Sequence, residues 1–407
     1  MKNPSRRSLA LITTICTVGM LSACSGAASG SDDSGPIVLG IAGPQSGPLA
    51  EIGENQVAGA ELAVEHINAD GGILGREVQL LDADEQTTPE TSTAAVRDLS
   101  NDGANIVVGM LSSAGCLALA PQLPSMNVVL IDTGCTNDDL TGKDGQEAPF
   151  TNLFRTSNND SKLIAPLAET IAERYPEATE YSAFGYDYVT GTTQWSLYQD
   201  AIADAGVSPN VVSETFVPIG EQNFGLQVQQ LVNEVSDPKK SALYLGTFSS
   251  GTGSFLQQAA SYDLSSNFAV IANPGGYYPI ARTLNGAAPH VWNSYDYNHA
   301  AFDTEENKAF VEDYKAKTGK LPVDWSYDAY VGVLAAKAAI EKAGTTDTAA
   351  VIEALKGLAF GTPGGELTID ATTHQTNNPV VVTHTVGDKN AEEGVKVLET
   401  VVVQEKD

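Results

Sequence analysis

Basic residues are scarce in this chain: 22 lysines and arginines stand against 51 aspartates and glutamates, for a formal net charge of −29 over 407 residues. A surface so acidic repels phosphate backbones and anionic headgroups within roughly a Debye length, about 8 Å at physiological salt, which excludes nucleic acid as a partner. Histidine is sparse too. His66, His290, His299, His374 and His384 show no metal-binding spacing, and no cysteine pair has redox or zinc spacing, so no metal and no cofactor is expected. A phosphate loop and a Gly-x-Ser-x-Gly elbow are both missing. Gly246-Thr247-Phe248-Ser249-Ser250-Gly251 only approximates the elbow, and a serine at such a turn more often caps the next helix. Carboxylates abound, but nothing in the pattern marks a catalytic pair, and the chain is read as a non-enzyme. Long apolar runs are also lacking. The longest, Leu9–Met20, is too short to remain as a membrane-spanning helix.

That short run is framed by Lys2, Arg6 and Arg7 before it and small residues after it, the layout of an export signal. It ends in Leu21-Ser22-Ala23-Cys24, which resembles a bacterial lipobox. The resemblance implies removal of residues 1–23, lipidation of Cys24, and a protein tethered to the extracytoplasmic face of the cytoplasmic membrane through its lipid alone. Arg6-Arg7 also suits a twin-arginine signal, so the export route stays open. Removing the three basic residues takes the net charge from −29 to −32. Residues 24–36, rich in Ser, Gly and Asp, suit a flexible tether, and the folded part is expected from Ile37.

About 370 residues then remain, too many for one ordinary core and enough for two domains. Apolar runs of strand length recur at Ile37–Ala42, Val78–Leu81, Ile106–Val108, Val128–Ile131, Tyr181–Phe184, Val211–Val217, Ala242–Leu245 and Phe268–Ala272, with helical spacing between them. Val57, Ala60, Ala63, Val64 and Ile67 share one helical face, and Gly71-Gly72 stops that helix. Alternation of this kind predicts an α/β fold with parallel sheets. The tail departs from it with β-rich runs at Glu366–Ile369, Pro379–Val386 and Val395–Val403.

Ligands of open α/β sheets collect beyond the carboxyl ends of the strands. The first-half loops there are small and polar: Gly43–Pro48, Gly109–Gly115 with Ser112 and Ser113, and Asp132–Thr136 with Gly134. Hydroxyls and free amides at a helix N-terminus hold a carboxylate or carbonyl oxygen without metal. The second-half loops, Gly185-Tyr186-Asp187-Tyr188 and Thr247-Phe248-Ser249-Ser250, offer aromatic faces instead.

Over almost the whole chain after Cys24, the sequence resembles the type I periplasmic solute-binding proteins of ABC importers, in the branched-chain amino acid and amide/urea group. The stretch Ser46-Gly47-Pro48 through Gly59-Ala60 to Ile67–Arg76, then Asp82-Ala83-Asp84, carries most of the likeness. Gly109 with Ser112-Ser113, and Thr133-Gly134-Cys135-Thr136, continue it. The resemblance implies two doubly wound lobes joined by a three-crossover hinge, at 37–154 plus 298–363 and 155–297 plus 364–407. It implies a monomer that closes on a small molecule and delivers it to a membrane permease. Ser113 and Thr136 would hold the ligand's polar head with hydroxyls and amides, Gly134 with its carbonyl, and Ile52 would lie over the site. Ser112, Tyr186, Tyr188 and Phe248 complete the expected ligand set. The same module could instead present ligand to a separate receptor as a sensor.

Amino-acid binders of that group usually carry an acid in the second lobe to pair with the ammonium, but the matching stretch here, Asn273–Tyr278, has none. A buried ammonium would need another counter-charge, such as Asp187 or Asp296. Gly185–Val189 and Thr362–Asp370 with His374-Gln375-Thr376 look more like amide and urea binders, which keeps a neutral or aromatic ligand open. Tyr277, Tyr278, Tyr295 and Tyr327 could line the cleft or pack beneath it. With Cys16 removed and Cys24 lipidated, Cys116 and Cys135 remain. They lie in loops after adjacent strands, and an oxidising compartment favours a disulfide over two buried thiols.

Overall fold

A computed structural model describes residues 35–143, 145–275 and 278–404. The expected signal, Cys24 and the tether up to residue 34 lie outside the described residues.

The first sheet is built from five short strands: β1 (Ile37–Gly43), β2 (Val78–Asp84), β3 (Ile106–Gly109), β4 (Val129–Asp132) and β5 (Leu153–Arg155). All pair in parallel, in the order β2-β1-β3-β4-β5. The central strands are near-continuous apolar runs because helices cover both faces. One covering helix is Ala50–Ala69, whose Ala60, Ala63, Val64 and Ile67 are buried. It ends where the Gly72 amide reaches back to Ile67 O and the Gly71 amide to Asn68 O, a turn that needs the positive φ of both glycines. It packs tightly on the late helix Asp324–Ala343: a Cβ at Gly59 would sit 2.0 Å from Ser326 O.

The second sheet begins with β6 (Glu180–Tyr186), β7 (Asn210–Val217), β8 (Ser241–Gly246), β9 (Val270–Pro274) and β10 (Val291–Tyr295), all paired in parallel. A small hairpin, β11 (Ala359–Thr362) and β12 (Gly365–Thr368), precedes β13 (Val380–Gly387) and β14 (Val395–Val403), which join the second sheet antiparallel. The order is β14-β13-β10-β9-β8-β6-β7.

Two lobes result, and the chain passes between them three times: after Arg155, after Tyr295, and in the stretch between β12 and β13. Tyr297, Phe310, Tyr314 and Tyr327 return to the core of the first lobe, and so do Leu367 and Ile369. The strands β5 and β10 have no apolar run to announce them. The first is three residues long, and the second, Val-Trp-Asn-Ser-Tyr, buries Asn293 and Ser294. Among the described residues, no helix is long and apolar enough to cross a membrane.

Candidate ligand-binding cleft

Between the carboxyl ends of the two sheets lies a cavity of about 170 Å³. The first lobe contributes Leu49, Ile52, Leu111, Ser112, Thr133, Gly134 and Thr136; the second contributes Tyr188, Thr190, Ile219, Phe248 and Pro274. Hinge-side segments add Ser157, Ser294, Tyr295, Asp296, Asp324, Trp325 and Asp328.

Buried carboxylates shape the polar loops. Glu85, fully buried at the end of β2, accepts from the amides of Leu111 (2.7 Å) and Ser112 (3.2 Å) and from the Ser92 hydroxyl (3.0 Å), and burial raises its pKa. Asp132, fully buried at the end of β4, accepts from the amides of Gly134 (3.0 Å) and Cys135 (2.8 Å), which folds the loop into an Asx turn. Desolvation pushes its pKa up to about 7 against the pull of Arg155. Arg155 braces this loop from behind. Its guanidinium donates to Cys135 O (2.9 Å), Asn137 O (2.8 Å), Thr141 Oγ1 (2.6 Å) and Gln375 Oε1 (2.7 Å). A disulfide joins Cys116, which lies in the helix Ser113–Leu119 and not in a loop, to Cys135, with the Cα atoms 6.5 Å apart, so the loop after β4 is tied covalently to the helix that follows β3. Asp132 lies close to both sulfurs, but their bonding to each other leaves no thiolate for a metal.

Of the residues expected from the sequence, Ile52, Ser112, Gly134, Thr136, Tyr188 and Phe248 meet in the cavity wall. Ser112 arrives with its hydroxyl committed. It caps the helix Ser113–Leu119 by accepting from the Gly115 amide (3.1 Å) and donates to Thr87 O (3.0 Å). Ser113 and Tyr186 are not in the wall. The Ser113 amide donates to Tyr188 Oη (3.0 Å), and its hydroxyl accepts from Thr190 Oγ1 (3.2 Å) and the Asn137 amide (3.3 Å). Tyr186 stands one layer back, its ring edge-on to Phe248 at 5.3 Å and its hydroxyl filling the space where Gly251 lacks a Cβ. Polar residues after β1 also miss the cavity: the Gln45 amide and Ser46 hydroxyl bind Asp84, and Leu49 and Ile52 supply the wall there.

The two acids considered as counter-charges separate clearly. Asp187 is exposed and outside the wall, whereas Asp296 is 7% exposed and within it, accepting from the Asn158 amide at 3.0 Å. Asp324 and Asp328, one turn apart at the start of the helix Asp324–Ala343, join it unannounced. Asp324 opens the helix as an ordinary first-turn acid, which the dipole favours, and Asp328 follows in the next turn. Burial raises Asp296 to about 6, Asp324 to about 7, and Asp328 well above the usual carboxylate range. Asn273 spends its amide on Leu245 O and Thr247 O (2.8 Å), pinning the loop that carries Phe248. Tyr295 lines the cavity, while Tyr327 stacks on Tyr297 at 4.2 Å in the first core. The side chains of Tyr277 and Tyr278 lie outside the description.

Comparison with known proteins matches this architecture. A leucine-, isoleucine-, valine-, threonine- and alanine-binding protein of Pseudomonas aeruginosa is 27% identical over 354 residues, covering 86% of this chain and 89% of the relative. A solute-binding protein of an R. palustris ABC transporter, solved with benzoate, superposes with a TM-score of 0.78 at 16% identity, covering 92% of this chain and 98% of that one. A branched-chain amino acid transporter substrate-binding protein of Streptococcus pneumoniae, solved with isoleucine, gives 0.75 at 20% identity, covering 91% and 100%. The sequence profile of the periplasmic binding proteins matches residues 36–390, and the chain belongs to that family.

Proposed function

We propose that this protein captures a small amino acid with an apolar side chain, a branched-chain one first of all, by closing its lobes, and delivers it to an ABC permease. One observation carries the reading: the cavity sets a polar loop wall of the first lobe against an apolar wall formed by Leu49, Ile52, Ile219, Phe248 and Trp325. Thr136 and the Gly134 loop suit the carboxylate, and the apolar wall suits an aliphatic side chain. The Pseudomonas aeruginosa relative, named for leucine, isoleucine and valine, supports it. Closure excludes water, and hydrogen bonds strengthen in the lower dielectric. A second reading, a small aromatic carboxylate, is favoured by Tyr188, Phe248 and Trp325 in the same wall and by the benzoate held in the R. palustris structure.

The lobes are taken as 37–154 plus 298–363 and 155–297 plus 364–407, with Leu367 and Ile369 drawing the last edge toward Ile369. The protein acts as a monomer without catalysis, outside the cytoplasmic membrane, and is held there by lipid on Cys24. Thermal unfolding against leucine, isoleucine, valine, benzoate and 4-hydroxybenzoate tests the ligand. A ligand present at a hundred times its dissociation constant adds about 2.7 kcal/mol and raises the midpoint by several degrees. A rise with the aliphatic amino acids sustains the first reading; a rise with the aromatic acids alone replaces it with the second.

A further inference from the structure

We infer that the hinge side of this cavity is a cation subsite, in which Asp296, Asp324 and Asp328 receive a positively charged amine of the ligand. The inference rests on the cavity being the ligand site and goes further by fixing the charge the ligand carries at that end.

Three carboxyl groups from two separate segments converge there. Asp296 follows β10, while Asp324 and Asp328 stand on one side of the first turns of the helix Asp324–Ala343. Asp328 is hydrogen-bonded to Asp296 and feels the charge of both other acids. Among the described residues, no lysine, arginine or histidine lines the cavity. Arg155, the cation that Asp296 feels, directs its hydrogen bonds to Gln375, Cys135, Asn137 and Thr141 instead. Asp132, Asp160, Tyr295 and Tyr327 are the other titratable groups around this wall, and each is neutral or negative.

A second observation is independent of charge. Asp328 is 2% exposed, yet its Oδ1 has no hydrogen-bond partner among the described residues. The hydroxyls of Ser294 and Ser157, also buried in this wall, have none either. Buried acceptors left in that condition are unfavourable unless something supplies donors. A primary ammonium offers three N–H donors and the compensating charge, and so meets both needs. Burial raises all three acids, and an ammonium placed among them would favour their charged forms. The amine thus supplies at the hinge the pairing for which Asn273–Gly275 has no carboxylate.

Calorimetric titration of the purified protein with leucine, 4-methylpentanoate (leucine without its amine) and 3-methylbutylamine (leucine without its carboxylate) tests this. Benzylamine and benzoate form a second pair. Leucine is expected to bind at least 100-fold more tightly than 4-methylpentanoate. Asp324→Asn and Asp328→Asn are each expected to lose at least 10-fold for leucine while leaving 4-methylpentanoate unchanged or tighter. Equal binding of leucine and 4-methylpentanoate by the unmodified protein overturns the subsite and leaves the aliphatic reading intact, whether or not the variants fold. Retention of leucine affinity in folded Asp324→Asn and Asp328→Asn also overturns it. If the aliphatic amino acids fail, the aliphatic reading falls and the second pair decides the subsite: benzylamine above benzoate sustains it, and benzoate above benzylamine overturns it. Failure of every probe overturns both.

Discussion

The amide of Ser113, at the start of the first lobe's helix Ser113–Leu119, donates to the hydroxyl of Tyr188 in the second lobe at 3.0 Å. Thr190 adds a second link to the Ser113 hydroxyl at 3.2 Å. The loop after β3 therefore meets the loop after β6 directly, and the contact closes one side of the cavity. It also explains why Ser113 stands outside the wall: its polar groups hold the other lobe.

Tyr188→Phe removes one acceptor and leaves the ring in place. A neutral hydrogen bond contributes about 1 kcal/mol, roughly fivefold in an equilibrium. The variant should unfold almost as the parent does, bind its ligand several-fold more weakly, and show a larger radius of gyration without ligand in small-angle scattering. An unchanged radius and affinity would mean that the contact does not bias closure.

Much of this fold is legible because its strands are buried runs separated by amphipathic helices. The helix Ala50–Ala69 and its glycine stop follow from spacing alone. β5 and β10 are hidden by brevity and by buried polar residues, whose partners come from distant segments. Asn293, for example, donates to Thr385 Oγ1 at 3.2 Å. In the site, Thr136, Gly134 and Phe248 were accessible because they directly follow strands. Asp324, Trp325 and Asp328 were not, since a helix far along the chain delivers them to the hinge. Tertiary packing of that helix, including the close approach of Gly59 to Ser326 and of Gly332 to Val108 and Thr133, brings the segment to the cleft.

Arg155 is the residue whose loss should unsettle the first-lobe loops most. Its guanidinium is fully buried and holds Cys135 O, Asn137 O, Thr141 and Gln375 together. Asp132, Asp138, Asp160 and Asp296 all contribute charge around it. Arg155→Met keeps most of the volume but strips the donors and leaves those acids without a counter-ion. A destabilisation of about 3–5 kcal/mol is expected in urea unfolding. A loss below about 1 kcal/mol would show that water replaces the guanidinium at little cost.

Gly251 controls Phe248 at one remove. A Cβ added there would fall 1.7 Å from Tyr186 Oη, and the Tyr186 ring lies edge-on to Phe248 at 5.3 Å. Gly251→Ala must push the buried ring aside, at about 1–3 kcal/mol of overpacking. Ligand affinity should fall with stability, because Phe248 forms the cavity wall. Tyr186→Phe made together with Gly251→Ala removes the clashing oxygen and should restore part of both. If the double variant recovers neither, the ring does not transmit the change.

Protonation of buried acids sets the pH dependence of the unliganded protein. Burial pushes Asp132 and Asp324 up to about 7, and Asp160 and Asp296 up to about 6. An unfolded chain releases these protons near pH 4, so between about pH 4 and pH 7 the folded state binds more protons than the unfolded one. Each group's stabilising contribution is complete below about pH 4 and is lost as pH rises through its folded value. Asp84 and Asp370, held low by hydrogen bonds from Ser46 and from the Thr372 and Thr373 amides, act in the opposite sense and weaken the fold in stronger acid. Urea unfolding should therefore give a maximum near pH 4 and a steady decline through about pH 7, and Asp324→Asn should flatten the decline because its amide carries no proton to lose. Stability that rises from pH 5 to pH 8 would mean that these carboxyl groups are ionised in the folded protein, with water or a bound cation compensating them.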